Sequence, residues 1–401
     1  MLQLIRTEVA KARGDRIIAL VWLGVLASLI GRVALRHDLI FDSHGRPMPS
    51  DFLALWSAGQ MVSAGHPADA YNYLSLLSVQ VRDVGHSFTD YCPWNYPPLF
   101  LFVVGVLAQF PYMFAYTLWA ITTLIAYFLC VRALFLDNRA ATIYGGAPAC
   151  FIAFVIAQTG LCLAAIFGAV LLTLDKRPII SGLLLAALAF KPQFGLLFPV
   201  ALVMGGYWDV LLVAISATIA WVLLWLGIDQ SVFTGFFHAL QTSSQYYLMA
   251  GSGGWHKLQS IYAFLRMLGL GNGTASIVHG VAAAACLVIV GVAWRSKLPL
   301  AMKSAILALA SLIATPYSYI YDFPVLTVAI GFLYGQTTFD RFERVAIWCA
   351  YALELTYLIT GLPMGWAVAA LIGCVIGRRL IGDRFASVTI SPRTPSIPNR
   401  I

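Results

Sequence analysis

The chain has 401 residues, of which 60% are hydrophobic and only 10% are charged, with a formal net charge of +8. A soluble domain carries about a quarter charged residues, so this composition excludes an ordinary soluble enzyme and describes an all-α polytopic membrane protein. The positive balance then reads as basic residues placed beside membrane spans to fix orientation, and no nucleic-acid partner is expected.

The basic opening (Arg6, Lys11, Arg13, Arg16) runs into an apolar segment over 17–35. That length suits the hydrocarbon core and exceeds a signal-peptide apolar region. A retained anchor with a cytoplasmic N-terminus is expected, which puts the first loop, 36–96, outside. Within it, Phe52, Leu55, Trp56, Gly59 and Val62 recur at three- and four-residue spacing, and Ser57, Gln60 and Ser63 mark another face. This pattern predicts an amphipathic helix lying at the membrane surface. Asp51 stands at its head. The plain reading is that Ser50 or Asp51 caps the helix; the functional one is an acid placed to act on a lipid-borne substrate. Gly65-His66-Pro67 ends the helix, and a second is expected over 68–84.

A short apolar run over 97–110, with prolines at both ends, is expected to be re-entrant or partly spanning. Apolar segments follow over 112–135, 143–157, 161–174, 179–190, 194–204 and 210–227. After a second polar stretch, 229–273, come 276–294, 298–315, 323–334, 345–360 and 365–377. The basic groups Lys176/Arg177, Arg295/Lys297, Arg341/Arg344 and Arg378/Arg379 read as cytoplasmic, which places Lys191, 229–273 and Thr315-Pro316-Tyr317 outside. About twelve spans are expected, in one domain over 1–385, followed by a cytoplasmic tail over 386–401. Six of the seven cysteines sit in apolar runs, and no spacing suggests a disulfide framework or a zinc site.

The segments flanking Lys191 are too short for a flat bilayer, which suggests a cavity entering from the outer face. Polar residues near outer segment ends are its candidate lining: Asp51, Tyr96, Gln158, Lys191, Gln193, His256, Lys257, Arg266, Tyr317, Tyr321 and Asp322. An ionisable residue inside a span costs about 3 kcal/mol and marks function by default. Lys191 could instead snorkel to the interface. His256, Lys257 and Arg266 could be ordinary loop cations, and Asp322 a helix cap or an ion-pair partner. No nucleotide loop or metal motif is present, so no cofactor and no metal are expected. An acid, cations and aromatics around an outward cavity could deprotonate a hydroxyl and hold a phosphate.

The motifs Asp51-Phe52 with Trp56 and Ala58, Gly65-His66-Pro67 before Ala70-Tyr71, and Tyr96-Pro97-Pro98-Leu99 are joined in order by four more. These are Lys191-Pro192, Gln259-Ser260, Arg266, and Thr315-Pro316-Tyr317 through Tyr321-Asp322. Together they resemble the polyprenol-phosphate-mannose-dependent mannosyltransferases of glycosyltransferase family 87, in the integral-membrane C superfamily. The resemblance implies that superfamily's fold and an inverting transfer from a lipid-phosphate sugar, with Asp51 in the position of the base. It departs at Ala157-Gln158, where the family has Gly-Gln, and at Leu258-Gln259-Ser260, where it has Asn-Gln-Ser.

The donor phosphate is expected at Lys191, Arg266, Lys257 and His256. Sugar and acceptor contacts are expected from Tyr96, Gln158, Gln259, Tyr317, Tyr321 and Asp322. The expected partners are a polyprenyl-phosphate sugar, a lipid or glycan acceptor and the bilayer. The expected location is the inner (plasma) membrane, with the site facing the periplasm. The rival reading is a transporter or lipid flippase, in which Asp51, Lys191 and Asp322 line a transport path.

Overall fold

The computed structural model describes residues 50–88, 92–135 and 137–389, with scattered positions from 14 to 47. Of the expected anchor over 17–35, residues 17–21, 23–25, 27, 28 and 31 are described and helical; the tail beyond 389 lies outside the described residues. Among those residues the chain is helical and has no strand; an isolated bridge joins Leu258 to Tyr319.

Four helices have the length and composition to cross a membrane: α4 (Tyr112–Leu134), α11 (Trp208–Ile228), α14 (Asn272–Arg295) and the first 18 residues of α18 (Gly365–Thr389). Their outward faces are apolar. On α11 the side chains of Leu212, Ile215, Ile219 and Leu223 are all exposed, an arrangement that water would penalise and lipid would not. Thus four of the roughly twelve expected spans reach full crossing length among the described residues.

Shorter apolar helices fill the bundle between them. These are α7 (Gly160–Thr173), α8 (Pro178–Ala187), α9 (Pro192–Gly195), α10 (Phe198–Gly205), α15 (Leu300–Ala314) and α16 (Pro324–Tyr334). Pro178, Pro192 and Pro324 each stand at a first helical position, where the missing N–H does no harm, and the residues before Pro178 and Pro192 lie outside the helical region. Prolines therefore divide the apolar sequence into pieces shorter than a bilayer.

The polar loops are also helical. The first carries α1 (Asp51–Ser63), a 3-10 turn (Pro67–Tyr71) and α2 (Tyr73–Val84). Then comes α3 (Leu99–Leu107), nine residues long and about 13 Å by helical rise, too short to span. The second loop carries α12 (Ser231–Ser243), a 3-10 turn (Trp255–Lys257) and α13 (Ile261–Met267).

The predicted two-faced α1 is not what forms. Phe52, Leu53, Ala54, Leu55, Ser57, Ala58, Gly59 and Met61 are all buried, so Ser57 on the expected polar face lies inside. The cause is packing on several sides. Phe52 meets Tyr112 and Tyr116 edge-on at 5.4 Å, and at Gly59 the helix touches the backbone of α3, where a Cβ would stand 2.1 Å from the Val104 carbonyl oxygen. Gln60 donates to Asp83 of α2 at 2.7 Å.

The far side of the bundle is built by α5 (Asn138–Gly145), α6 (Pro148–Val155) and α17 (Arg341–Thr360). The first turn of α17 is closed by an Asp340–Glu343 capping box, and Glu343 is held by Arg379 at 2.5 Å. Arg344 lies 3.7 Å from Asp15 at the same end. The other end of α17, a helix of about 30 Å, reaches the polar cluster described next.

Candidate active site

Asp51 is the first residue of α1, and the N-cap before it, Ser50, makes no side-chain cap bond. Ser50 instead approaches the Tyr112 hydroxyl at 3.3 Å. The capping explanation for Ser50 is thereby removed. Asp51 still gains from the helix dipole, whose positive end favours a carboxylate in the first turn. Burial raises its pKa above the ordinary carboxylate value, and the Gln158 side chain, Lys257 and Lys191 in turn stabilise the charge.

Gln158 is fixed from the other side. Its Oε1 accepts from the Tyr96 hydroxyl at 2.8 Å and from the Thr159 backbone N–H at 2.7 Å. Both are donors, so the carbonyl end of the amide must face them. The NH2 end is left for Asp51. Tyr96 also meets the Thr159 hydroxyl at 3.2 Å. Burial holds the Tyr96 and Tyr319 phenols above their ordinary range, so both act as neutral hydrogen-bonding groups.

Lys191 sits in a non-helical break between α8 and α9, with φ −129° and ψ 74°. Its ammonium donates to Asp322 Oδ1 at 2.5 Å, and the other carboxylate oxygen accepts the Tyr319 backbone N–H at 3.1 Å. Lys191 also stands over the Tyr321 ring, 4.9 Å from its centroid, and Tyr321 stacks on Tyr319 at 5.0 Å. The pair is buried, with 6% and 0% of the two side chains exposed. Lys191 therefore does not present a free positive charge. Neither snorkelling nor a lone phosphate contact describes it.

The 3-10 turn Trp255–Lys257 supplies an open cation, Lys257, with the His256 imidazole beside it. Lys257 is exposed, His256 is half-buried, and neither has an ion-pair partner among the described residues. Lys257 is the cation that most stabilises the Asp51 carboxylate.

Three expected residues have other engagements. Gln259 accepts from the Gly365 N–H at 3.2 Å and donates to the His256 carbonyl at 3.3 Å, while its own N–H reaches Ser318 at 2.6 Å. It clips the loop to α18, with both ends of its amide on backbone. Arg266 donates to the carbonyls of Leu270 (2.8 Å) and Met249 (3.0 Å) and lies 4.4 Å from the Trp255 ring centroid, so its guanidinium is turned to the loop. The Tyr317 N–H donates to Thr315 Oγ1 at 3.1 Å, and among the described residues no hydrogen bond or ring contact joins it to Asp51, Lys191 or Asp322. Gln193 forms no side-chain hydrogen bond with the cluster among the described residues. The structure adds Thr159 and Tyr319, both tied into the network through their backbone N–H groups; neither bears a charge that would single it out in sequence.

A bundle of membrane-length and shorter apolar helices with carboxylates, cations and phenols gathered at one end is the frame of a membrane-embedded enzyme. The model of glycosyltransferase family 87 matches residues 94–316, more than half of the chain, and the chain belongs to that family. The matched segment holds Tyr96, Gln158, Lys191, His256, Lys257, Gln259 and Arg266; Asp51, Tyr317, Tyr321 and Asp322 lie outside it. No curated protein and no solved structure matches the chain. Membership in a glycosyltransferase family displaces the transporter alternative.

Proposed function

We propose that the protein transfers a sugar, mannose by its family resemblance, from a polyprenyl-phosphate donor to a hydroxyl of a lipid-linked or glycan acceptor, with inversion. The observation that carries this reading is a partly buried carboxylate, Asp51, within the field of an open cation, Lys257, beside ordered amide and phenol groups. The acceptor hydroxyl attacks the anomeric carbon as its proton passes to Asp51, and the anomeric carbon–oxygen bond breaks with its electrons leaving on the phosphate. A hydroxyl is too weak an acid to attack unaided, so the base contributes. Positive charge stabilises the departing phosphate, a part that suits Lys257 and His256.

Lys191 and Asp322 then form the floor of the sugar site rather than a phosphate clamp. Tyr96, Gln158 and Tyr321 offer hydroxyl-matching groups around it. The arginine-rich end of α17 and α18 fits the cytoplasmic side by the bias of basic residues. That would turn the Asp51 end toward the periplasm, with the protein resident in the inner membrane and about twelve spans in all.

The test is to incubate the purified protein with labelled polyprenyl-phosphate mannose, or with other polyprenyl-phosphate sugars, and a panel of lipid acceptors. Label moving to an acceptor in wild type and not in Asp51→Asn supports the reading. Transfer from a nucleotide sugar alone would overturn it.

A further inference from the structure

Glu354 lies on α17 and is buried at 1% exposure. Its Oε2 accepts the backbone N–H of Ala149 at 3.0 Å, and its Oε1 has no hydrogen-bond partner. No cation pairs with it among the described residues. Ala149 is the second residue of α6, after Pro148, and it is fully buried. Its N–H is among the donors that a helix start leaves unpaired, and water cannot reach it.

The other end of α6 leads straight to the site. The Gln158 N–H bonds to the Ala153 carbonyl at 2.9 Å, and the Ala157 N–H to the Phe154 carbonyl at 3.1 Å. Ala157 stands between them at φ +46°. These paired bonds around a left-handed residue close the helix in the Schellman manner. Gln158 is thus tied by its backbone to the last turn of α6, and wherever α6 sits, the Gln158 amide follows. One turn beyond Glu354 on α17, Tyr357 lies within electrostatic reach of Asp51, so α17 approaches the carboxylate as well as holding the helix that delivers its amide partner.

We propose that Glu354 is a positioning residue: it anchors the start of α6 and through α6 sets Gln158 against Asp51. This rests on reading Asp51 as the base. An isolated charge at that depth is costly, so what Glu354 offers α6 is a hydrogen-bond acceptor, which a glutamine carbonyl would supply equally.

The experiment uses the purified full-length protein as wild type, Glu354→Gln, Glu354→Ala, Gln158→Ala and the Glu354→Ala/Gln158→Ala double variant. Glu354→Gln keeps the wild-type kcat, whereas Glu354→Ala lowers kcat by roughly 10- to 100-fold with little change in donor KM, the loss expected of a misplaced group. The double variant is no slower than Gln158→Ala alone, since Glu354 acts through that amide. Amide hydrogen exchange over 148–158, read without substrate, rises in Glu354→Ala and stays at the wild-type level in Glu354→Gln. Additive kinetic losses, a Glu354→Gln variant as slow as Glu354→Ala, or unchanged exchange in Glu354→Ala would each overturn the proposal. If the wild type transfers no sugar, the exchange arm still decides the anchor, and only the base reading falls.

Discussion

Lys191 and Asp322 are 131 positions apart in sequence, yet the lysine ammonium and the carboxylate stand 2.5 Å apart in a buried pair. Each explains the other. The break after α8 places the lysine, and the 3-10 turn Ile320–Asp322 places the acid. The ring of Tyr321 covers the ammonium, a contact worth most where water is excluded.

Removing one partner leaves a buried charge unmatched, which costs about 3–5 kcal/mol. Lys191→Met and Asp322→Asn should therefore each lower the thermal midpoint of the detergent-purified protein. The double variant should recover most of that loss, because it buries no charge at all. If both single variants unfold at the wild-type temperature, the pair is not buried in the folded protein.

Asp51→Asn should abolish transfer, since an amide of nearly the same shape cannot accept a proton. It should not weaken the fold. A carboxyl whose pKa is raised on folding withdraws stability as pH climbs through its unfolded and then its folded value. Burial raises Asp51 above 3.8, so at neutral pH the variant should be at least as stable as wild type. For the same reason the acid limb of the kcat/KM profile should fall at a pH above the ordinary carboxylate value. A limb at or below 3.8 would show that Asp51 is not the group being titrated.

The membrane class, the short helices around Lys191 and the family motifs are legible in the chain itself, because composition and proline spacing act locally. What α1 does is not. Its three- and four-residue spacing describes a single partner, but α3, α4 and the 3-10 turn after it all press on it, and Ser57 is enclosed. The Lys191–Asp322 pairing is equally hidden, since no local pattern specifies which acid a buried lysine meets. Charge and motif position suggest Arg266 as a phosphate ligand; the carbonyls of Leu270 and Met249 that hold it are backbone groups, which every residue carries. Thr159 and Glu354 are also invisible in this way, because their parts depend on which main-chain groups lie beside them.

Ala157 occupies a left-handed conformation at φ +46°, a region that costs a residue with a Cβ roughly 1–2 kcal/mol relative to glycine. Ala157→Gly removes that strain, while extra freedom in the unfolded chain opposes it by about 0.4–1 kcal/mol. The net expectation is a protein as stable as wild type or up to about 1.6 kcal/mol more so. Ala153→Gly, four residues earlier inside α6, is the control, because glycine in a helix interior costs about 1 kcal/mol. Heat unfolding of the two variants side by side reads the difference. Equal destabilisation would contradict the left-handed placement of Ala157.

Gly160 opens α7 directly beneath the segment that carries the acid of the pair. A Cβ built there would stand 1.5 Å from the Tyr321 carbonyl oxygen, and that oxygen is backbone, so no rotamer change can make room. Gly160→Ala must therefore push α7 and the 3-10 turn Ile320–Asp322 apart. Overpacking of this kind costs about 1–3 kcal/mol and sometimes more. The displacement falls on Tyr321 and Asp322, so it should also loosen the grip on Lys191. The expected result is a lower thermal midpoint together with a partial loss of the coupling between Lys191→Met and Asp322→Asn in a double-mutant cycle built on the Gly160→Ala background. Thr159→Ala, one residue away and without an added Cβ, removes only the hydroxyl contacts to Tyr96 and Gln158 and should leave that coupling at its wild-type strength. A Gly160→Ala protein with unchanged midpoint and full coupling would mean that α7 does not touch the Tyr321 backbone.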